Sequence, residues 1–294
     1  MRLLTKIAAA ALAVALTATA ASAQGVVVSS KIDTEGGLLG NIISQVLQAN
    51  GVPVTEKIQL GATSVVRQAI TAGQIDLYPE YTGTGLNAVM KAQGVTETDP
   101  GKIHEMVRAY YEKEFKLTWL KPSGVNNGYA IIVRPETARE MNLKTLSDLA
   151  KVAPKLKLGA GPEFADRRDG IKGMKEVYGI EFGEFRQFAA LRLRYDALSQ
   201  KQIDVANGFA TDWQIAAEKF AALDDDRKLF PPYYLAAVIR LEAAANPKIV
   251  EAIERVGAVI DNVTMQELNR QVEVEKKEPR QVAAAFLKAK GIAP

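Results

Sequence analysis

The amino-acid sequence predicts an α/β protein made of two similar lobes that face each other across a cleft. Short β-branched runs alternate with helices of moderate length, which is typical of parallel α/β sheets. In addition, one pattern occurs twice, 128 residues apart. The first copy is a helix and its stop followed by residues 74–77 and Tyr81, and the second is a helix and its stop followed by residues 202–205 and Phe209. An internal repeat of this kind favours two lobes of like construction.

The elements of the first lobe follow in order along the chain. Residues 26–28 are β-branched and predict a buried strand that runs into a loop at Lys31. Apolar residues then recur at helical spacing over 38–47, behind a cap at Asp33 or Thr34. The remaining predictions are a helix end at Gly51, a strand over 54–60, a Ser/Thr-capped helix containing Val65, a stop at Gly73, and a strand over 75–78.

Two later strands are placed to connect the lobes. Residues 129–133 could cross to the second lobe and residues 236–239 could return, so that helices near 248–260 and 280–289 would pack on the first lobe. In the second lobe, residues 156–161 match the strand and loop at 26–31. The predicted domains are 26–127 with 234–294 for lobe 1 and 128–233 for lobe 2, with hinge crossings near 127–131 and 230–235.

Composition excludes several kinds of chemistry. The chain has 294 residues, of which 48% are hydrophobic, and it contains no cysteine and a single histidine, His104. It therefore has no disulfide framework, thiolate zinc site, iron–sulfur cluster or thiol nucleophile, and one histidine cannot build a multi-histidine metal site. We expect neither a metal nor a cofactor.

The first residues predict a secretory signal. Arg2 and Lys6 are followed by an Ala/Leu/Val run over 7–16, and small residues precede Gln24, so we expect cleavage after Ala23 and a periplasmic location. Without this segment the chain has 35 basic and 34 acidic residues. Since no basic face with interleaved aromatics is evident, we expect no nucleic-acid partner.

Ligands of open α/β sheets bind beyond the carboxyl ends of the strands, so the loops there carry the candidate site. Aromatic residues occupy several of these strand ends and crossings: Tyr81, Tyr129, Phe209 and Tyr233. The face of an aromatic ring attracts a cation that is too methylated to accept hydrogen bonds. Together the four rings predict an aromatic cage for a quaternary ammonium group.

A second group of residues has the opposite charge preference. Lys31 ends the first strand, and Arg167 follows the Gly/Pro loop of the second lobe. They could clamp one carboxylate from opposite sides, with the Thr84 hydroxyl as a neutral donor and Glu163 holding the guanidinium in place. A cage for a cation together with a clamp for a carboxylate predicts a zwitterionic ligand.

At these residues the sequence resembles a known family, the glycine betaine/choline/carnitine-binding proteins of ABC importers, and most closely their osmoprotectant-binding OsmF/YehZ branch. The resemblance covers nearly the whole chain after residue 23. The segments that carry it are 30–35, 76–84, 126–130, 163–170 and 230–233. It implies a type II periplasmic-binding-protein fold that closes on its ligand and then docks, as a monomer, on a membrane permease.

The resemblance also implies residue roles. Positions matching the four aromatic residues surround the quaternary ammonium, those matching Lys31, Thr84 and Arg167 meet the carboxylate, and the backbone carbonyl near Asn127 faces the methyl groups. Two departures from the family bear on affinity. Gly36 stands where members often carry Gln, and Phe209 where they often carry Tyr, so glycine betaine would bind weakly or a larger ligand would be preferred.

Other functions have less support in the sequence. An enzyme is least favoured, because the chain has no Gly-x-Ser-x-Gly elbow, His-Glu-x-x-His motif or Walker loop. A receptor for another small solute, such as an amino acid, a compact oxyanion or a larger trimethylated compound, is the alternative. A primary ammonium group prefers carboxylate and carbonyl acceptors to ring faces, so the aromatic set disfavours ordinary amino acids.

Overall fold

The computed structural model describes residues 25–91 and 97–293. The predicted signal segment lies outside the described residues. The described chain forms two five-stranded sheets, each covered by helices, and these sheets define lobe 1 and lobe 2. Within this part of the chain, no helix has both the length and the apolar character needed to span a membrane.

The sheet of lobe 1 has the strand order β2-β1-β3-β10-β4. Strand β10 is antiparallel to both of its neighbours, whereas β1, β2 and β3 are parallel. The strands are β1 (Val26–Lys31), β2 (Val54–Gly61), β3 (Leu77–Tyr81), β4 (Leu117–Trp119) and β10 (Leu235–Arg240).

The sheet of lobe 2 has the corresponding order β7-β6-β8-β5-β9. Here β5 is the antiparallel strand, pairing with β8 and β9. The strands are β5 (Tyr129–Val133), β6 (Lys157–Ala160), β7 (Glu184–Gln187), β8 (Val205–Phe209) and β9 (Ala221–Leu223). The two antiparallel strands are the first strands after each passage between the lobes. Because they enter from the cleft, they run against the parallel strands that end there.

The internal repeat of the sequence is visible in the hydrogen bonds. Asp76 precedes β3, where its Oδ2 accepts from the Val27 amide at 2.7 Å, and Asp204 precedes β8, where its Oδ2 accepts from the Lys157 amide at 3.0 Å. Each carboxylate also lies near an arginine at the far end of the antiparallel strand. These are Arg240 at 3.8 Å and Arg134 at 3.0 Å. The two lobes are therefore built on one plan, as the sequence predicts.

Fourteen α-helical segments lie in the described residues. They are α1 (Thr34–Ala49), α2 (Thr63–Thr71), α3 (Thr82–Thr84), α4 (Pro100–Phe115), α5 (Pro135–Glu140), α6 (Leu146–Val152), α7 (Pro162–Asp166), α8 (Gly173–Tyr178), α9 (Leu191–Ser199), α10 (Trp213–Ala217), α11 (Leu241–Ala244), α12 (Pro247–Gly257), α13 (Asn262–Glu273) and α14 (Pro279–Ala289). Short π-helical turns span Gly85–Val89 and Arg168–Lys172, and a 3-10 turn spans Ala153–Lys155.

The core of lobe 1 contains residues from both ends of the chain. Helix α1 packs its apolar face on the sheet and on α12 and α14, so these C-terminal helices lie against lobe 1. Asp33 caps α1 by accepting from the Gly36 amide at 2.7 Å. The predicted Ser/Thr cap of α2 is wrong, because the cap residue is Ala62, which supplies no side-chain acceptor.

Candidate functional site

The loops that leave the carboxyl ends of β1, β3, β6 and β8 meet the starts of β5 and β10 between the two lobes. Several contacts cross this cleft. The Glu163 side chain of lobe 2 faces the Thr63 amide of lobe 1, and Asp169 faces Asn87. The lobes are therefore closed on one another.

One group of rings occupies the hinge side of the cleft, and we call it the aromatic cluster. Its centre is the Tyr129 ring, which stacks on Phe209 with ring centroids 5.3 Å apart and meets Tyr233 edge-on at 5.7 Å. Phe164 and Phe230 complete it, with centroids 4.9 and 5.5 Å from that of Tyr129. The structure thus brings three of the four predicted cage rings together and adds two others.

Strand pairing explains why distant residues meet in the aromatic cluster. Tyr129 and Phe209 are directly paired in the β5–β8 ladder, so their side chains project from the same face of the sheet. Phe230 is held by Asp225, whose carboxylate accepts from the Leu229 and Phe230 amides at 2.9 and 2.7 Å. No comparable pattern in the sequence indicates this ring, since it lies in a turn before two prolines.

The fourth predicted ring, Tyr81, lies apart. Among the described residues it is not one of the rings that pack on Tyr129. Its ring instead carries the Lys31 Nζ atom 4.7 Å from the centroid, and its hydroxyl donates to Glu35. The Lys31 ammonium therefore already occupies a position at the Tyr81 ring that a ligand cation could take.

Phe209 has a similar neighbour. The guanidinium carbon of Arg194 lies 5.8 Å from the Phe209 centroid, and Arg194 is 4% exposed. Its Nη1 donates to the Asn207 carbonyl at 2.6 Å, which fixes the cation beside the ring. Phe209 therefore has a protein cation near its ring as well as Tyr129 stacked on it.

Tyr233 joins the aromatic cluster to lobes 1 and 2. Its hydroxyl donates to Asp169 in lobe 2, and its ring lies so close to Gly83 of lobe 1 that a Cβ there would be 2.6 Å from ring atoms. Glycine at position 83 thus permits this contact. Burial raises the pKa of Asp169 above its usual range, and burial together with Asp169 raises that of Tyr233, so the hydroxyl keeps its proton.

The predicted clamp residues face the same cleft, but both cations have protein partners. Lys31 Nζ lies 2.7 Å from Glu80 Oε1, and Arg167 pairs with Glu163, as its spacing predicts. Burial opposes ionisation of Glu163, yet Arg167 and, less strongly, Lys31 hold its pKa below the usual value. Glu163 thus lies within the field of both cations. Thr84, the third predicted clamp residue, is buried in α3.

Asn127 and Gly36 make close contacts at the cleft. The Asn127 amide donates to Glu35 at 2.9 Å, and its oxygen accepts from the Thr211 amide at 3.1 Å, so this side chain bridges the lobes. A Cβ at Gly36 would lie 2.7 Å from the Lys31 carbonyl oxygen, so glycine permits α1 to start close to the end of β1.

Comparison with known proteins identifies the family. Residues 24–289 match the model for the substrate-binding domain of ABC-type glycine betaine transport systems. The chain belongs to this family. It is 36% identical over 280 residues to the glycine betaine-binding protein YehZ of Escherichia coli K12, covering 92% of each chain. The resemblance inferred from the sequence is thereby confirmed.

Two further relatives have related roles. The carnitine transport binding protein OpuCC of Listeria monocytogenes is 34% identical over 86% of this chain and 83% of its own. A crystal structure described as a glycine betaine/carnitine/choline ABC transporter superposes with a TM-score of 0.75 at 31% identity, covering 91% of this chain and 99% of that one. The structural match confirms the type II periplasmic-binding fold.

Proposed function

We propose that this protein captures a quaternary-ammonium solute, glycine betaine or a related betaine or choline, in the periplasm and delivers it unchanged, as a monomer, to the permease of an ABC importer. The observation that carries the proposal is the aromatic cluster, in which rings from separate parts of the chain meet at the hinge of a closed cleft. Such rings favour a methylated cation over a primary amine.

In this proposal the ammonium group of the ligand binds against Tyr129 and Tyr233. Neither ring has a protein cation among the cation–ring contacts of the described residues, whereas Tyr81 and Phe209 are already approached by Lys31 and Arg194. A ring face that contacts a desolvated cation contributes roughly 0.5 to 2 kcal/mol to its binding. Tyr81 and Phe209 then act as outer walls of the site.

The ligand carboxylate is placed between Lys31 and Arg167, where Glu163 now lies within the field of both cations. It would compete with Glu163 for the guanidinium, with Thr84 as a further donor. Because two carboxylates cannot share this space without repulsion, ligand entry displaces Glu163 toward solvent. Carnitine, whose carboxylate is farther from its ammonium, is accommodated if the Glu163 side chain turns outward.

Calorimetry of the mature protein tests this function. The panel contains glycine betaine, carnitine and choline, each paired with its unmethylated amine. We expect binding heat from the methylated members and at least about tenfold weaker binding of the amines, since primary ammonium groups lose more hydration on entering an aromatic site. Heat from the amines alone would transfer the assignment to amino-acid binding, and conversion of any ligand would indicate an enzyme.

A further inference from the structure

A buried carboxylate that no part of the proposed ligand contact uses lies behind Tyr81. Glu35 is 8% exposed, in the first turn of α1. Its Oε1 accepts from the Tyr81 hydroxyl and from the Asn127 amide at 2.9 Å, and its Oε2 accepts from the Asn269 amide at 2.7 Å. Three segments that are distant in sequence therefore converge on one carboxyl group.

This cluster connects the lobes. Asn127 also accepts from the Thr211 amide of lobe 2 at 3.1 Å, and the Asn269 amide lies 3.4 Å from the Thr211 carbonyl. Asn269 belongs to α13, a helix of lobe 1 that the sequence did not indicate. Opening the cleft would pull Thr211 away from this group, so the hydrogen bonds around Glu35 depend on closure.

The charges around Glu35 disfavour its ionised form. Within the described residues it has no ion-pair partner, and the ionisable groups that face it are Asp33 from its own helix cap, Tyr81 from the end of β3, and Asp212 from the loop after β8. A buried carboxylate without a cation gains a proton more readily than an exposed one. Burial raises the pKa of Glu35 and Asp33 adds to the effect, although hydrogen bonds from Thr211, Tyr81 and Asn269 oppose it.

Asn269 can accommodate that proton. Its Oδ1 atom is buried and has no hydrogen-bond partner among the described residues. If the amide turns over, Oδ1 can accept from a protonated Oε2, while Oε1 still accepts from Tyr81 and Asn127. The cluster thus has one acceptor more than the ionised form of Glu35 requires.

We propose that Glu35 is a positioning residue that holds the Tyr81 ring and joins it to lobe 2, and that closing the lobes around a ligand places a proton on its carboxyl group. The proposal rests on the proposed function, because ligand capture is what closes the lobes. Proton uptake on closing means that affinity increases as the pH falls and decreases as the pH rises. A periplasmic receptor would then bind its solute more tightly in acidic surroundings.

The first test is the pH profile of affinity in the wild type and in Glu35→Gln, measured by calorimetry with choline, which does not titrate, and with glycine betaine. Glutamine has the shape of protonated glutamate and carries no charge. From about pH 8 to about pH 5 we expect wild-type affinity to increase by about threefold or more, and the variant to stay near the acidic wild-type value. A flat wild-type profile, or a variant that binds weakly at every pH, overturns the proposal.

Glu273 provides a matched control. It also accepts hydrogen bonds across the lobes, from Trp213 Nε1 at 2.8 Å and Gln214 Nε2 at 3.1 Å, but it does not contact Tyr81. Glu273→Gln should keep the pH dependence of the wild type. If Glu273→Gln also lost the pH dependence, the effect would not be specific to Glu35, and the proposed role of Glu35 would be overturned.

Lobe closure can be followed without any ligand. The chain has no cysteine, so dyes attach only at introduced ones, for example at the exposed Lys113 of lobe 1 and Glu181 of lobe 2. Energy transfer should show more closed protein at low pH in the wild type, but no change in Glu35→Gln. If closure depends on pH in this way but no quaternary ammonium compound binds, the proposed function alone is refuted. If such a compound binds but closure does not depend on pH, the role of Glu35 alone is refuted.

Discussion

Replacing Arg167 by alanine should separate ligands by whether they carry a carboxylate. The Arg167 side chain is 12% exposed and pairs with Glu163, so the substitution removes a largely buried charge from the predicted clamp. A hydrogen bond to a charged group contributes about 1.5 to 3 kcal/mol. Glycine betaine should therefore lose roughly 10- to 150-fold in affinity through its carboxylate contact.

Choline serves as the internal reference for this variant. It has no carboxylate, so it shares only the losses that come from leaving Glu163 unpaired and from any change in closure. The ratio of the two dissociation constants, measured by calorimetry before and after the substitution, isolates the clamp. Arg168 is the adjacent, exposed arginine, and Arg168→Ala removes the same charge without entering the cleft.

Two results would refute the reasoning. Equal losses for glycine betaine and choline would show that Arg167 acts on closure rather than on a carboxylate. A matching change in Arg168→Ala would show that overall charge, and not the contact, controls affinity. Thermal unfolding of both variants confirms that the affinities refer to folded protein.

Three further predictions concern the residues around the aromatic cluster. Tyr233→Phe leaves the buried Asp169 without its hydroxyl donor and should lower the free energy of unfolding by about 1 to 3 kcal/mol in a denaturant titration; an unchanged midpoint would contradict this. Gly83→Ala places a Cβ against the Tyr233 ring and should weaken ligand binding about tenfold by calorimetry, so unaltered affinity would show that the contact is dispensable. Burial raises the pKa of Asp212 to about 7, so wild-type stability should increase by about 2 to 3 kcal/mol relative to Asp212→Asn as the pH falls from about 8 to about 5. Parallel pH profiles for the two proteins would show that Asp212 does not take up this proton.

The repeated lobe is where sequence reasoning worked best. The apolar pattern and the repeat of residues 74–77 at 202–205 depend on local sequence. In both copies a helix ends, an aspartate follows, and a strand begins directly after the aspartate. The structure places Asp76 and Asp204 in equivalent hydrogen bonds to the neighbouring strand. The loops that face the cleft could also be recognised from the sequence, because the direction of the chain determines which ends of the strands lie there.

The aromatic cluster was only partly predictable. Tyr129, Phe209 and Tyr233 lie together in it, whereas Phe164 and Phe230 were not among the predicted rings. The position of Tyr81 outside the cluster depends on Lys31 and Glu35, whose side chains approach it from two other elements. The placement of Asn127, Gly36 and Glu163 likewise depends on contacts between segments far apart in the chain.

The sequence by itself determined the two-lobed α/β plan, the family, and the strand ends that carry the site, because these follow from periodicity and from motifs within short segments. Only the tertiary structure decided which rings share a face, which cations are already paired, and that a buried carboxyl group at Glu35 connects the lobes. Those features arise from through-space contacts and from the removal of water, and neither is encoded in the spacing of residues along the chain.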